Sequence, residues 1–290
     1  MELGILLSGS GLEIESWEQG FELAAEMGYT QVELAGNDVS GAGAKPDLGR
    51  CDAAEARRIA DLARSLGLGV SALQSHQCFP LADGAGLATS VAHTKRMIEL
   101  AAECRIPVVH TTTGHRPGGI GEGTLWRKLA DVYGALLDHA SGTGVKVGIE
   151  PVFVYMVGNL ATLRRLFEVV GRDDLYLNYD PSHFPYHDES PLPSIHEFGE
   201  RVVHAHAKDA LVEPDPEGAA RDTESEMPGG RKFRFMPPGD GQIDQVAVVQ
   251  ALREVGFDGV LSLELGHGVP DPEAAARRNV AFMRGIVGEE

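Results

Sequence analysis

The sequence predicts an α/β protein folded as a single (β/α)8 TIM barrel, and three observations support that prediction. Short apolar segments typical of strands alternate with longer segments typical of helices, eight times in succession. The length of 290 residues suits one closed barrel of this kind, which needs about 250 residues. No GxGxxG motif opens the first unit, which argues against an open dinucleotide-binding sheet. We therefore expect one domain that spans residues 1–290.

The first half of the chain contains four predicted strand and helix pairs. Ser16 is a helix N-cap, and Gly28 and Gly67 end helices, because these residue types are preferred at those positions. The predicted strands are Leu3–Leu7, Gln31–Ala35, Val70–His76 and Pro107–Thr112. The predicted helices are Ser16–Met27, Asp52–Leu66, Leu87–Cys104 and Leu125–Ala140.

The second half repeats the pattern, with a clear alternation of period two in its strands. In LYLNYD, Leu175 and Leu177 share one face, Asn178 and Asp180 share the other, and Pro181 ends the strand. The predicted strands are Val145–Glu150, Leu175–Asp180, Val202–Lys208 and Val260–Glu264. The predicted helices are Asn159–Val170, a short helix near Ile195, Asp244–Val255 and Asp271–Val287.

One long segment interrupts this alternation after the seventh strand. Residues Leu211–Pro238 are rich in proline, glycine and acidic residues, which are typical of loops. Loops of this length in a compact domain are uncommon and are usually functional. We interpret 211–238 as a loop insertion with a role as a lid over the active face.

Composition and charge restrict the class of protein. The formal net charge of −18 argues against a duplex nucleic-acid partner, which requires lysine and arginine to neutralise phosphates. The N-terminus has no basic segment followed by a long apolar run, and no stretch of 18 apolar residues occurs, so we expect a cytoplasmic protein with no membrane contact. The three cysteines show no CxxC spacing, which predicts free thiols.

Four of the predicted strands deliver ionisable side chains at or near their C-terminal ends. These residues are Glu150, Asp180, His206 and Glu264. The C-terminal ends of barrel strands meet at one face, where active sites of this fold lie. Three carboxylates held close together repel one another and need a cation. Three oxygen donors and one nitrogen suit Mn²⁺ or Mg²⁺, with Co²⁺ or Zn²⁺ as alternatives.

Further polar residues fall on or near the same face. His76 and His110 lie at or near the ends of the third and fourth strands and are expected to line the pocket. Lys208 has inward parity, so it either binds a substrate oxygen or pairs with a neighbouring carboxylate. His204 lies deeper and is predicted to be a hydrogen-bonded core histidine. Glu33 ends the second strand with inward parity and is a weaker candidate.

The spacing of these motifs resembles that of a known family. The motifs are Glu150-Pro, Asp180-x-x-His183, His206-x-Lys208-Asp209, PGDGQID at 238–244 and SLE ending at Glu264. Over nearly the whole chain they are similar to the xylose isomerase-like barrel superfamily. The closest group is that of the sugar phosphate isomerases and epimerases, which includes ketose 3-epimerases, hydroxypyruvate isomerases and inosose dehydratases.

The resemblance implies a role for each matching residue. It implies that Glu150, Asp180, His206 and Glu264 bind one divalent metal ion, and that His183 contacts substrate. It also implies that Glu150 and Glu264 are the acid/base pair of an isomerase or epimerase, which moves a proton next to a carbonyl through an enediolate. The expected substrate is a ketose, keto-polyol or related sugar. Family barrels are often dimers or tetramers, so a homo-oligomer is expected.

Two departures from the ketose 3-epimerase pattern open an alternative. Met156 and Val212 stand where those enzymes carry a glutamate and an arginine, and Arg234 is the candidate to supply the missing arginine. The alternative is a metal-dependent carbon–oxygen lyase, a dehydratase or keto-glycoside-cleaving enzyme, which uses the same metal and base. Two further alternatives remain. One is an apurinic endonuclease, because His76 and His110 resemble the additional metal ligands of that branch. The other is a non-catalytic subunit.

Overall fold

The strands of the protein form a closed barrel and a separate small sheet. The structure is a computed structural model that describes residues 1–7, 11–38, 46–215, 225–265 and 268–288. In chain order the strands are β1 (Glu2–Leu6), β2 (Gln31–Ala35), β3 (Gly69–Gln74), β4 (Val108–Thr111), β5 (Lys146–Ile149), β6 (Leu175–Tyr179), β7 (Val202–Ala207), β8 (Asp209–Pro214), β9 (Ser225–Met227), β10 (Arg231–Met236) and β11 (Val260–Leu263). Strands β1 to β7 and β11 pair in parallel, and β11 closes the barrel between β7 and β1. The predicted (β/α)8 barrel is confirmed.

The helices surround the barrel and begin where the sequence provides caps. They are α1 (Trp17–Met27), α2 (Ala53–Ser65), α3 (Gly84–Glu103), α4 (Glu122–Ala140), α5 (Leu160–Val170), α6 (Leu192–Phe198), α7 (Gln245–Glu254) and α8 (Pro272–Val287). The side chains of Ser16 and Asn159 accept hydrogen bonds from the first turns of α1 and α5, as predicted. Helix α3 begins earlier than expected because Asp83 caps it. Within the described ranges, no helix combines the length and apolar character needed to span a bilayer.

The segment after β7 differs from the expected loop. Strands β8, β10 and β9 form an antiparallel sheet in that order, while residues 216–224 lie outside the described part of the chain. In β10, Phe233 and Phe235 alternate with Lys232 and Arg234, which is the period-two pattern of a half-buried strand. The proline, glycine and acidic residues around this short alternating stretch dominate the composition of residues 211–238, which is why the sequence predicts a loop there.

The barrel interior is polar, whereas the layer between strands and helices is apolar. Hydrogen bonds cross the interior between strands that are not neighbours: Ser71 of β3 contacts His204 of β7, and His110 of β4 contacts Glu33 of β2. All four side chains are almost fully buried. Buried polar groups are costly unless they are paired, so this network requires defined partners and holds the strand ends above it in place.

Candidate active site

Four strand ends bring ionisable side chains together at one mouth of the barrel. Glu150, Asp180 and Glu264 directly follow β5, β6 and β11, and His206 lies within β7. One donor atom from each of these side chains lies within 4.8 Å of the other three. The convergence predicted from strand parity is therefore observed. We call these four residues the carboxylate–histidine cluster.

The imidazole of His206 lies among the three carboxylates. Its Nδ1 is 2.9 Å from Oε2 of Glu264, 3.6 Å from Oδ2 of Asp180 and 3.8 Å from Oε1 of Glu150. Nδ1 of His206, Oδ2 of Asp180 and Oε2 of Glu264 are buried, yet none has a hydrogen-bond partner in the described part of the chain. Buried polar atoms normally have partners. Because three carboxylates and one imidazole are suitable ligands for Mn²⁺, Mg²⁺ or Zn²⁺, this donor set fits a divalent cation.

Burial and neighbouring cations act in opposite directions on the carboxylates of the cluster. Burial alone would raise the pKa of Glu150, but His206 and His76 outweigh it and hold the pKa well below its usual range. Burial also opposes ionisation of Glu264, and Lys208 and His206 lower its pKa overall. Both carboxylates are therefore ionised at neutral pH, as a ligand or a base must be.

Lys208 lies beside the cluster and faces the pocket. Its Nζ is 3.1 Å from Oε1 of Glu264, 3.6 Å from Oδ2 of Asp180 and 3.9 Å from the centre of the Phe235 ring. Although burial lowers its pKa, Glu264 and Asp180 raise that pKa above the ordinary lysine value. The amine is thus charged at neutral pH and carries N–H donors at the pocket wall.

His183 and His76 lie at the edges of the cluster, and both line the pocket. Nε2 of His183 is 3.3 Å from Oδ2 of Asp180, while its Nδ1 accepts a 3.5 Å hydrogen bond from the backbone N–H of Phe153. Nε2 of His76 is 3.2 Å from Oε2 of Glu150. Both positions allow a substrate contact, which stays a prediction.

His110 does not reach the pocket, contrary to the expectation that it lines it. Its side chain is fully buried, with Nε2 2.7 Å from Oε1 of Glu33 and Nδ1 3.2 Å from Nδ2 of Asn178. It lies within β4 rather than beyond its end, so it belongs to the layer beneath the cluster.

Arg234 also lies away from the pocket. It projects from the face of β10 opposite to Phe233 and Phe235, and its Nε is 3.0 Å from Oε2 of Glu213 on the neighbouring strand β8. The alternation of side chains along a strand explains this placement. The structure therefore gives Arg234 a cross-strand ion pair, and it does not bear out the expected substrate contact.

A cavity of about 230 Å³ lies above the cluster. Its lining combines the ionisable groups with apolar and aromatic side chains, and includes one residue from the sheet that follows β7. The lining residues are His76, Glu150, Val152, Phe153, Tyr155, His183, Lys208, Phe235, Glu264 and Leu265. The cavity is smaller than most ligand pockets, which measure about 300–1,000 Å³, so it suits a small molecule.

Sequence reasoning missed three residues that shape this site. Asn178 donates a 2.7 Å hydrogen bond from Nδ2 to Oε2 of Glu150, and its inward parity with Asp180 was the available signal. Phe235 forms part of the pocket wall, which the alternation in KFRF could have indicated. Tyr155 lies in the loop after β5, where no local pattern predicts which side chain faces the pocket.

Comparison with known proteins agrees with the barrel fold. A family model described as a xylose isomerase-like TIM barrel matches residues 21–286. The inosose dehydratase of Glaesserella parasuis is 29% identical over 168 residues, which are 56% of this chain and 56% of that protein. The inosose dehydratase of Serratia proteamaculans is 32% identical over 169 residues, again 56% of each chain. The matched segment thus spans about half the length of these curated relatives.

Solved structures show the same fold at lower identity. A crystal structure of the IolI protein with a bound zinc atom has a TM-score of 0.76 and 22% identity, and the match covers 100% of this chain and 99% of that one. A structure of L-ribulose 3-epimerase has a TM-score of 0.73 and 19% identity, with 99% of this chain and 94% of that one covered. At these identities the similarity establishes the barrel fold alone.

Proposed function

Since the chain belongs to the xylose isomerase-like TIM barrel family, we propose that it is a divalent-metal-dependent carbon–oxygen lyase that dehydrates a keto-polyol. The observation that carries this proposal is the convergence of Glu150, Asp180, His206 and Glu264 beside the charged amine of Lys208. A dehydratase of this type needs a base for the proton next to the carbonyl and an acid for the leaving hydroxyl group. In this pocket Glu264 is the candidate base and Lys208 is the candidate acid, and the two side chains contact each other.

The carboxylate–histidine cluster is the proposed metal site. The buried oxygens of Asp180 and Glu264 and Nδ1 of His206, which lack hydrogen-bond partners in the described part of the chain, support this role. A bound divalent ion would polarise the substrate carbonyl and reduce the cost of the negative charge that deprotonation creates. The donor set favours Mn²⁺, and the zinc atom in the IolI structure makes Zn²⁺ the alternative to test.

Glu264 and Lys208 are the proposed acid/base pair of the elimination. The carboxylate of Glu264 takes the proton from the carbon next to the carbonyl, and the electron pair of that bond forms the new carbon–carbon double bond. The bond from the next carbon to its hydroxyl breaks, and the hydroxyl leaves as water with a proton from Lys208. The proton held by Glu264 then passes to the neutral amine 3.1 Å away, which restores both groups.

The pocket supports an uncharged, ring-shaped substrate. Val152, Phe153, Phe235 and Leu265 provide an apolar wall that suits the C–H face of a polyol ring. Among the described residues that line this cavity, Lys208 is the one lysine or arginine, and two carboxylates already contact it. These residues therefore offer no free cation to a phosphate group. The relatives named inosose dehydratase make a keto-inositol the first substrate to test.

A metal-dependent epimerase or isomerase is the second candidate. Glu150 and Glu264 both belong to the cluster and both line the pocket, so two carboxylates are available to exchange a proton on one carbon. The fold similarity to L-ribulose 3-epimerase is consistent with this candidate. In it, Lys208 would bind a substrate oxygen and would not protonate a leaving group.

Proton NMR in D₂O separates the two candidates. The protein is loaded with Mn²⁺ and incubated with a keto-inositol or, in parallel, with free ketoses. The protein and the paramagnetic metal are then removed before the spectra are recorded. We expect the keto-inositol to lose water and to form an unsaturated or diketone product. An epimer or isomer with deuterium at the carbon next to the carbonyl would establish the second candidate. No reaction with either class, in protein shown to hold metal, would contradict both.

A further inference from the structure

His206 makes contacts through both nitrogens of its ring, on opposite sides. Nδ1 faces the carboxylates of the cluster, and Nε2 faces the barrel interior, where it lies 3.2 Å from Oε2 of Glu33. Glu33 is fully buried within β2. Its other oxygen, Oε1, lies 2.7 Å from Nε2 of His110. One carboxylate therefore lies between two imidazoles beneath the cluster.

This arrangement determines which nitrogen of His206 carries a proton. An ionised carboxylate only accepts hydrogen bonds, so Nε2 of His206 must be the donor toward Glu33. In the neutral ring, which is the form of histidine that binds a metal ion, Nδ1 is then left with the lone pair, directed at the cluster. The charge of Glu33 also makes the ring a stronger ligand, because a hydrogen-bonded carboxylate raises the basicity of the imidazole.

The histidines around Glu33 have partners within the protein. Glu33, His110, His204 and His206 each place a donor atom within 4.8 Å of the others. His204 is the remaining histidine of this layer, and both of its ring nitrogens face protein atoms. Its Nδ1 is 2.9 Å from Oδ1 of Asn178, and its Nε2 is 3.2 Å from Oγ of Ser71. The layer is a hydrogen-bonded network, and its contacts with the cluster above run through His206, His110 and Asn178.

We infer that Glu33 is a positioning residue that holds His206 with Nδ1 directed at the metal cluster and thereby sets metal affinity. The inference rests on the proposed metal site, and it assigns to this site a residue outside the set of ligands. Carboxylates that support a ligand histidine in this way typically contribute 10-fold to 100-fold to metal affinity. We expect a loss of that size when the carboxylate of Glu33 is removed.

The substitution Glu33→Gln tests the inference with almost no change in shape. An amide accepts through its oxygen but donates through its nitrogen, so it can satisfy only one of the two imidazole N–H groups. If its oxygen faces His110, its NH₂ group faces Nε2 of His206 and favours a proton on Nδ1, where the metal would bind. We expect Mn²⁺ affinity, measured by titration calorimetry, to fall 10-fold to 100-fold.

Two further variants and one spectroscopic measurement separate positioning from general damage to the fold. Ser71→Ala alters the same buried layer beside His204 without touching His206, and should keep Mn²⁺ affinity within about twofold. Glu33→Asp keeps the charge but is too short to reach both rings, and should lose affinity as well. In the zinc-loaded protein, the ¹⁵N–¹H signal of Nε2–H of His206 should lie at low field in the natural sequence, because the carboxylate of Glu33 accepts from it, and should move to higher field in Glu33→Gln.

The outcomes distinguish this inference from the proposed function. If the unaltered protein binds Mn²⁺ and both Glu33 variants bind it equally well, the positioning role is wrong while the metal site stands. If Ser71→Ala loses as much affinity as Glu33→Gln, the effect reflects the integrity of the layer, and the specific role of Glu33 is refuted. If the unaltered protein binds neither Mn²⁺ nor Zn²⁺, the proposed metal site fails and this inference fails with it.

Discussion

The ammonium group of Lys208 contacts the carboxylates of Glu264 and Asp180 and packs on the ring of Phe235. This position ties its proposed role to the type of reaction. In an elimination, the amine must supply a proton to the leaving hydroxyl group after the base has taken the proton from carbon. In an epimerisation no group leaves, so the amine has no leaving group to protonate.

The substitution Lys208→Met therefore separates two steps of the proposed reaction. We expect the rate of water loss to fall by about 10² to 10⁴, the usual contribution of a positioned general acid. Exchange of the proton next to the carbonyl with D₂O should persist, because Glu264 is still present as the base. Both rates are measured in one NMR experiment on metal-loaded protein with a keto-inositol.

The matched control is Lys146→Met at the opposite end of the barrel. Lys146 lies at the start of β5 with an exposed side chain and packs over the ring of Tyr176. Its removal should leave both rates unchanged. Equal loss of exchange and of water release in Lys208→Met would contradict the assignment of this residue to the leaving group alone.

Asp209 anchors the turn that follows the antiparallel sheet to the start of β8. Its carboxylate accepts hydrogen bonds from four backbone N–H groups, those of Ala210, Gly239, Gly241 and Ile243, at 2.8 to 3.2 Å. The next helix continues this support, since Gln245 of α7 donates a hydrogen bond from Nε2 to the backbone oxygen of Lys208. Asp209 and Gln245 thus hold the sheet, the turn and Lys208 together.

We expect Asp209→Ala to destabilise the protein by about 3 kcal/mol, because it leaves buried N–H groups without an acceptor. Asp209→Asn should cost less, about 2 kcal/mol, since its remaining oxygen still accepts while its NH₂ group faces two N–H donors. Urea unfolding of the metal-free protein measures both. The control is Asp240→Asn in the same turn, whose half-exposed side chain should change stability by less than about 0.5 kcal/mol. If Asp240→Asn lowered the free energy of unfolding as much as Asp209→Asn, the buried hydrogen bonds of Asp209 would be unimportant for stability.

The elements of the barrel were predictable because each leaves a local pattern. Period-two alternation located the strands, and it also placed Glu150, Asp180 and Glu264 at strand ends, where the parallel arrangement forces them together. The caps of α1 and α5 could be identified from single residues, because Ser16 and Asn159 are strong N-cap types.

Contacts between elements distant in sequence were not predictable in the same way. Arg234 was assigned to the substrate from its place in the sequence, but the parity of β10 turns it toward Glu213. Glu33 had inward parity, yet its importance depends on two histidines that lie 77 and 173 positions away along the chain. Such contacts depend on the closed barrel, and no local pattern in a single sequence records them.

The fold as a whole carries an electrostatic cost at the mouth of the barrel. The three carboxylates of the cluster, of which Glu150 and Asp180 are buried, lie with His206 in a small volume, and the chain carries a formal net charge of −18. His206 and Lys208 partly compensate the carboxylates, so the metal-free protein should remain folded. A divalent cation would remove the remaining repulsion and bind only to the folded state.

Metal binding should therefore raise thermal stability in a concentration-dependent way. Binding to the folded state alone stabilises a protein by about 2.7 kcal/mol at a ligand concentration 100 times Kd. For a protein of this size we expect Tm to rise by about 5 °C at that concentration, since each kcal/mol shifts Tm by roughly 2 °C. Scanning calorimetry of chelator-treated protein, with Mn²⁺ added in tenfold steps, should show Tm increasing with the logarithm of its concentration.

Asp180→Asn, which removes one charged ligand while keeping the shape, should flatten that increase, whereas Asp240→Asn should not alter it. An equally steep rise in Asp180→Asn would place the stabilising ion elsewhere on this acidic chain, and no rise in the natural sequence would contradict a metal site at the strand ends.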